Sequence, residues 1–276
     1  MSGAPPVPRD RRGAARSAGY TAPMSTHLPR WTRRAALGAA LAATYAALAL
    51  HGHVPGGWRL RTLVQSPAEI ADAARRAHRT ARLERFAVER VEPGGVLFIG
   101  SSTIEYFDLP AAFPGANAIN RGIGDEDLAG LRARFLETLD ATDCAAMVLY
   151  AGSVDFRRLG RPPAQIAEDV ADLLELASSS VPAARVLLLG LLPERDLSPA
   201  MAARLEETNL ALQGLAAARP MVSFVNTSRP PVTSAASGVL EAAMSRDRIH
   251  LNQRGYKEAS RWILKADEGV GRLLGA

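Results

Sequence analysis

From residue 96 onward, the chain is punctuated by short apolar runs that stop at turn residues. They are Val96-Leu97-Phe98-Ile99 before Gly100, Ala146 to Tyr150 before Gly152, Val186 to Leu189 before Gly190, and Val222 to Val225 before Asn226. A weaker run is Ala118-Ile119-Asn120. Each is too short for a helix and lies between turn-forming residues, so each reads as a buried strand. Helix-spaced segments lie between and after them: Leu128 to Leu139, Pro163 to Leu176, Pro199 to Ala218 and Gly255 to Leu264. In the second, Ile166, Val170, Leu173, Leu174 and Ala177 recur at helical spacing. Strands alternating with helices imply a parallel sheet covered on both faces. With about five strands, the expected architecture is α/β, a three-layer α/β/α sandwich of flavodoxin-like topology. Ligands in such sheets bind beyond the carboxyl ends of the strands, where Ser101, Gly122, Ser153 and the segment around Asp247 fall.

The chain has 276 residues, enough for one globular domain with extra sequence at an end. Its divisions are expected at 1–34 (a basic, disordered leader), 35–50 (an apolar signal or anchor), 51–92 (a linker and flanking helix) and 93–276 (the domain proper). Charge is distributed unevenly across them. Residues 1–65 hold nine Arg and one acid, Asp10; the remainder holds 24 basic and 27 acidic side chains. The net charge of +5 therefore belongs to the leader, and the domain lacks the basic excess that nucleic-acid binding needs. Cys144 is the only cysteine, which excludes an internal disulfide and a cysteine-based metal cluster.

The leader is rich in Pro, Gly, Ser and Arg and has little to bury. Thr32-Arg33-Arg34 is followed by an uncharged run from Ala35 to Leu50, a positive flank before an apolar stretch. The paired arginines resemble a twin-arginine signal, without the aromatic that usually follows. Met24 offers an alternative start that would shorten the flank. Sixteen residues make a helix of about 24 Å, short of a ~30 Å hydrocarbon core. Trp31 and Trp58 flank the run as interfacial aromatics would, and Ala47-Leu48-Ala49 has the small residues of a cleavage site. A cleaved signal and a retained inner-membrane anchor both stay open, as does an alanine-rich soluble helix. Either of the first two places the domain on the periplasmic or extracellular side. From Ser66 to Arg90 the chain reads as a polar, Arg-rich stalk or flanking helix, opened by a Ser66/Glu69 capping box with Pro67 at the first helical position.

A metal-free hydrolase working at neutral pH needs a nucleophile, a base and an orienting acid. Of the five histidines only His250 lies within the domain, in Asp247-Arg248-Ile249-His250 just before a helix. An acid three residues ahead on a turn can accept the Nδ1 proton and aim Nε2 outward. Taken alone, a turn cap at Asp247 and a satisfied structural histidine are the commoner readings. Ser102 follows the first strand in Gly100-Ser101-Ser102-Thr103, where Gly100 permits a sharp turn. A serine there is an ordinary N-cap, or else a nucleophile beside free backbone N–H groups. Ile104 rules out the Gly-x-Ser-x-Gly elbow. The Arg157, Arg158, Arg161 group reads as a solvated loop, Asn226 to Met244 as a loop leading to His250, and Cys144 as an inert buried thiol.

Taken in order, these residues resemble the SGNH, or GDSL-like, hydrolase superfamily, and within it the subgroup similar to platelet-activating-factor acetylhydrolase. The resemblance spans Val96 to about Ile263. Gly100-Ser101-Ser102 stands where many members have Gly-Asp-Ser, which gives Ser102 the nucleophile's role. The second block is Asn120-Arg121-Gly122-Ile123-Gly124-Asp125. Family members have a further glycine at the place of Asp125 whose N–H meets the oxyanion, so the backbone donors implied are Ser102, Gly124 and Asp125. The third block, Gly152-Ser153-Val154-Asp155, has Val154 where the family's asparagine supplies a side-chain amide. The last block, Asp-x-x-His, is intact as Asp247 and His250.

The resemblance implies an SGNH hydrolase fold and a serine esterase or lipase acting without metal or organic cofactor on small acyl esters of lipid or carbohydrate. One oxyanion donor is lost, a deficit of about 10²–10³ in rate. A degenerate member that binds acyl or glycan ligands without turnover, and an O-acyltransferase using the same triad, stay open. A flavodoxin-like nucleotide module is disfavoured, since the domain has neither a Gly-x-Gly-x-x-Gly fingerprint nor a phosphate loop. Nothing in the sequence indicates an oligomeric state.

Overall fold

The computed structural model describes residues 30–50, 53–54 and 65–276. The expectations for residues 1–29, for Met24 as a start, for Trp58 and for most of the linker fall outside the described residues. The chain divides into two compact units, Met1–Pro67 and Ala68–Ala276. The first contains helix α1, Arg30–Leu50, which extends the apolar run through its basic flank. Its apolar stretch holds nine alanines against four leucines. Among the described residues no helix is long and apolar enough to cross a membrane.

The second unit is built on five parallel strands: β1 Val96–Gly100, β2 Ala118–Gly122, β3 Ala146–Tyr150, β4 Arg185–Leu189 and β5 Val222–Val225. Their order across the sheet is β2-β1-β3-β4-β5. Every residue of β1 and β3 is buried, as continuous apolar runs in a doubly covered sheet require. The chain steps from β1 to β2 in one direction and reverses thereafter. Right-handed crossovers therefore send the helices that follow β2, β3 and β4 to one face and those that follow β1 to the other.

The contacts agree. Helices α5 (Leu128–Thr142), α7 (Pro163–Ser180) and α8 (Pro199–Ala217) pack side by side. On the other face α9 (Gln253–Ala266) packs against β5 and the short α4 (Leu109–Ala112). Helix starts carry their sequence signatures: Asp127, Ser198 and Asn252 accept N-cap hydrogen bonds at α5, α8 and α9.

The expected helices are present: those at Leu128, Pro163 and Pro199 start where expected, α9 starts two residues early, and the C-terminal ends differ by one to four residues. The structure adds α3 (Ser102–Glu105), α4, α6 (Ser153–Arg157) and α10 (Glu268–Leu273), which span about one turn each and show no periodicity. Helix α2, Pro67–Val88, occupies the segment expected to be a stalk or flanking helix. The order reverses between β1 and β3, so the crevice beyond their carboxyl ends is the natural ligand site. The register sets Gly100 level with Gly122 and Tyr150. The segments leaving β1, β2 and β3 thus emerge at one height beside that crevice.

Candidate active site

Ser102 sits at the exit of β1. A Cβ on Gly100, which lies at φ +152°, would fall 2.1 Å from the Tyr150 carbonyl oxygen, so only glycine lets the chain turn beside β3. The turn delivers Ser102 as the first residue of α3, buried, with its N–H lacking an intrahelical acceptor. The Ser101 hydroxyl bonds the Ser153 hydroxyl at 3.0 Å, joining the ends of β1 and β3. Behind the turn, the Tyr256 hydroxyl donates to the Thr103 carbonyl at 2.8 Å. Burial pushes that phenol well above its ordinary pKa, so it stays a donor.

Asp247 and His250 lie on a tight reversal closed by the Arg246 N–H to His250 carbonyl bond. Asp247 Oδ1 accepts the Ile249 and His250 amides at 2.9 and 2.8 Å, and Oδ2 lies 2.8 Å from His250 Nδ1. Burial raises the carboxyl pKa, but the Ile249 amide, the His250 ring and the His250 amide outweigh it and hold it at about 2. An ionised carboxylate only accepts, so Nδ1 carries the proton and Nε2 presents its lone pair. That nitrogen lies 2.9 Å from Ser102 Oγ. The structure thus brings together three residues whose outer members are 148 positions apart. In this arrangement the serine hydroxyl can pass its proton to the imidazole as it attacks a carbonyl.

The segment leaving β2 departs from expectation. A Cβ on Gly122 would fall 2.2 Å from the Glu105 amide nitrogen, so glycine allows β2 to abut α3. The Gly124 N–H donates to the Glu105 carboxylate and is therefore not free to receive an oxyanion, which corrects its expected role. Asp125 adopts φ +60°. Its carboxylate faces Arg75 and Arg158 at 3.5 Å each, which neutralises the acid.

At the third block, Val154 is 1% exposed and packs into the core. Asp155 caps α5 by accepting the Leu128 N–H at 2.8 Å and also takes Arg161 at 3.0 Å. The arginines expected in a solvated loop are instead paired: Arg157 faces Glu194, Arg158 faces Asp125, and Arg161 bridges Asp155 and Asp169. Carboxylates from other elements supply those pairs, which a local reading misses. The Cys144 thiol is buried, and burial raises its pKa.

The sequence model of the GDSL-like lipase/acylhydrolase family matches residues 100–258, which hold Ser102, Asp247 and His250. The chain belongs to that family. Among solved structures, this family member is similar to a Streptococcus pneumonia protein described as a platelet activating factor, at 23% identity and TM-score 0.63, over 72% of this chain and 96% of the other. A GDSL-like lipase from Bacteroides thetaiotaomicron is 22% identical with TM-score 0.59, over 69% and 97% of the two chains. An acetylxylan esterase from Geobacillus stearothermophilus is 15% identical with TM-score 0.50, over 68% and 97%. At these identities the likeness shows the fold. No curated protein matches the sequence.

Outside the matched region, this acylhydrolase-family chain adds α2, which has no buried residue and is held by polar contacts. Arg82 gives two hydrogen bonds to the Gly122 carbonyl, at 3.0 and 2.7 Å. His78 Nε2 lies 2.9 Å from the Glu105 carboxylate that takes the Gly124 amide. Arg79 reaches Glu126 at 3.3 Å, where Arg134 completes a buried ion pair at 2.7 Å. Arg75, His78, Arg79 and Arg82 fall at i, i+3, i+4 and i+7, one helical face. That spacing was available in the sequence, but a polar stripe reads first as a solvated surface.

Proposed function

We propose that this chain is a serine ester hydrolase that acts through a covalent acyl-Ser102 intermediate on short acyl esters. The carrying observation is the Ser102 Oγ–His250 Nε2 distance of 2.9 Å, with His250 Nδ1 held 2.8 Å from an ionised Asp247. As Ser102 Oγ attacks the ester carbonyl, its proton passes to Nε2. Asp247 stabilises the imidazolium without taking a proton. The tetrahedral intermediate expels the alcohol, which takes the proton from Nε2. Water then repeats the sequence on the acyl-serine and releases the acid.

The Ser102 amide serves as backbone oxyanion donor, and so does that of Asp125, whose side chain is turned to its arginines. Val154 donates nothing, so the Ser153 hydroxyl takes the place of the missing side-chain donor; it lines the same depression as Ser102 and His250. That depression is small, which favours short acyl groups over long chains. Ser102→Ala is expected to abolish p-nitrophenyl acetate hydrolysis, and parental turnover in that variant ends the reading.

A second reading, a family member that binds acyl ligands without turnover, is favoured by one observation: Val154 in place of an amide donor. Retention of an acyl ester without product formation by the parent protein separates it from the first. The arginine flank before Ala35–Leu50 also supports export of the domain. Cell fractionation is expected to recover the domain outside the cytoplasm, its N-terminus cut near residue 49 for a signal or intact for an anchor; exclusively cytoplasmic protein with an intact leader contradicts export.

A further inference from the structure

Residues 66–276 carry 24 basic and 27 acidic side chains, so a strongly cationic feature within them is local. One lies beside the triad. A groove of ≈ 980 Å³ between α4 and α9 is lined by Arg246, Arg254, Lys257 and Arg261, with Leu251 and Leu264 among its apolar walls. Arg254, Lys257 and Arg261 recur at i, i+3 and i+7, so they share one face of α9. Arg254 and Lys257 are exposed, and no acidic group lies within ion-pair distance of either among the described residues. Arg261 is paired with Glu258, and Arg246 stands 3.5 Å from Asp247. The acid lining the groove is Asp108, whose carboxylate is engaged in capping α4 through the Ala111 N–H.

The groove adjoins the triad across Tyr106, which lines it and touches His250. Its ring meets the His250 imidazole edge-on at 5.0 Å, and the Arg246 guanidinium lies over the same ring, 4.6 Å from its centroid. Leu251, in the groove wall, directly follows His250. The narrow depression at Ser102 takes the acyl group, and the leaving alcohol takes its proton from His250 Nε2. The wide groove on the far side of Tyr106 is the cationic space nearest that imidazole for the rest of the alcohol.

We infer that the groove binds the alcohol portion of the substrate and that this portion is anionic, an alcohol bearing a phosphate or carboxylate. The inference rests on the esterase reading and specifies its substrate class. Two unpartnered cations above an apolar wall favour an anion with a short carbon spacer over a neutral polyol, because the neutral group gains nothing from the field. The attraction is between exposed groups, so salt weakens it.

The test uses the full chain and three acetyl esters of similar length: neutral 1-acetylglycerol, 1-acetylglycerol 3-phosphate and 4-acetoxybutanoate. We expect kcat/KM for at least one anionic ester to exceed that of the neutral ester about tenfold at low ionic strength, with the advantage shrinking in 0.5 M NaCl. The anion that gains identifies phosphate or carboxylate as the recognised group. In the Arg254→Gln/Lys257→Gln protein the anionic-to-neutral ratio is expected to fall to near one, a readout that a general loss of folding does not produce. Equal or better turnover of the neutral ester, or a ratio that the double substitution leaves unchanged, overturns the groove assignment while the triad reading stands. Absence of Ser102-dependent turnover of all three esters overturns both.

Discussion

The two sides of Ser102 are built differently. On one side, Asp247 and His250 are set by a four-residue reversal in which Asp247 Oδ1 accepts two backbone amides and Oδ2 meets the ring. The acid and the amides that hold the Nδ1 side of the imidazole are local, while Ser102 and Tyr106 meet the ring from elsewhere. On the other side, residues 122–125 are held from a distance, by Arg82 on the Gly122 carbonyl, Glu105 on the Gly124 amide, and Arg75 and Arg158 on Asp125. Val154, after β3, offers no side-chain donor. The Asp247–His250 contact is thus set within one short motif, whereas residues 122–125 take their position from distant side chains. Residues 122–125 rest in part on α2, which lies outside the matched family region.

Substitutions on the two sides are expected to separate in size and kind. Asp247→Asn removes the acceptor that fixes the imidazole tautomer, and kcat is expected to fall by about 10⁴-fold with KM little changed. A loss below about tenfold contradicts the local half of the comparison. Arg82→Ala frees the Gly122 carbonyl, and the misplacement of the adjoining loop is expected to cost up to about 10²-fold in kcat. Arg82→Lys, which still reaches a single carbonyl oxygen, is expected to recover part of the loss. An Arg82→Ala protein that loses stability but keeps its kcat makes α2 a scaffold only. Val154→Asn restores an amide, and a gain of about tenfold in kcat is expected where the side chain reaches the oxyanion. No gain indicates that Ser153 already fills that place.

The smallest effect is on stability. The Asp247 pKa of about 2 lies below the ordinary value of about 3.9, so its carboxylate contributes stability in full above pH 4 and loses it as pH falls through 2. The stability gap between the parent and Asp247→Asn, read by denaturant titration, is therefore expected to narrow between pH 4 and pH 2. Because Asp247 is 41% exposed, solvent screens much of that gap.

The sheet was legible because each strand is a continuous apolar run stopped by a turn residue, and both faces of β1 and β3 are buried. His250 was legible by elimination, and Asp247 by its spacing from it. Ser102 needed the resemblance, since a serine at a strand-to-helix turn is also an ordinary cap. The one-turn helices α3, α4 and α6 hold too few residues to show a period. The engagement of Gly124 by Glu105 could not be read, because it depends on how closely β2 abuts α3. Arg158 and Asp125 are 33 residues apart, and nothing local marks them as partners.

Treatment of the full chain with a fluorophosphonate, followed by peptide mass analysis, shows whether Ser102 is a nucleophile activated by His250. A single phosphonylated peptide containing Ser102 is expected, formed rapidly in the parent protein and not in His250→Ala. Labelling at another serine, or at Ser102 with equal speed when the imidazole is gone, contradicts it.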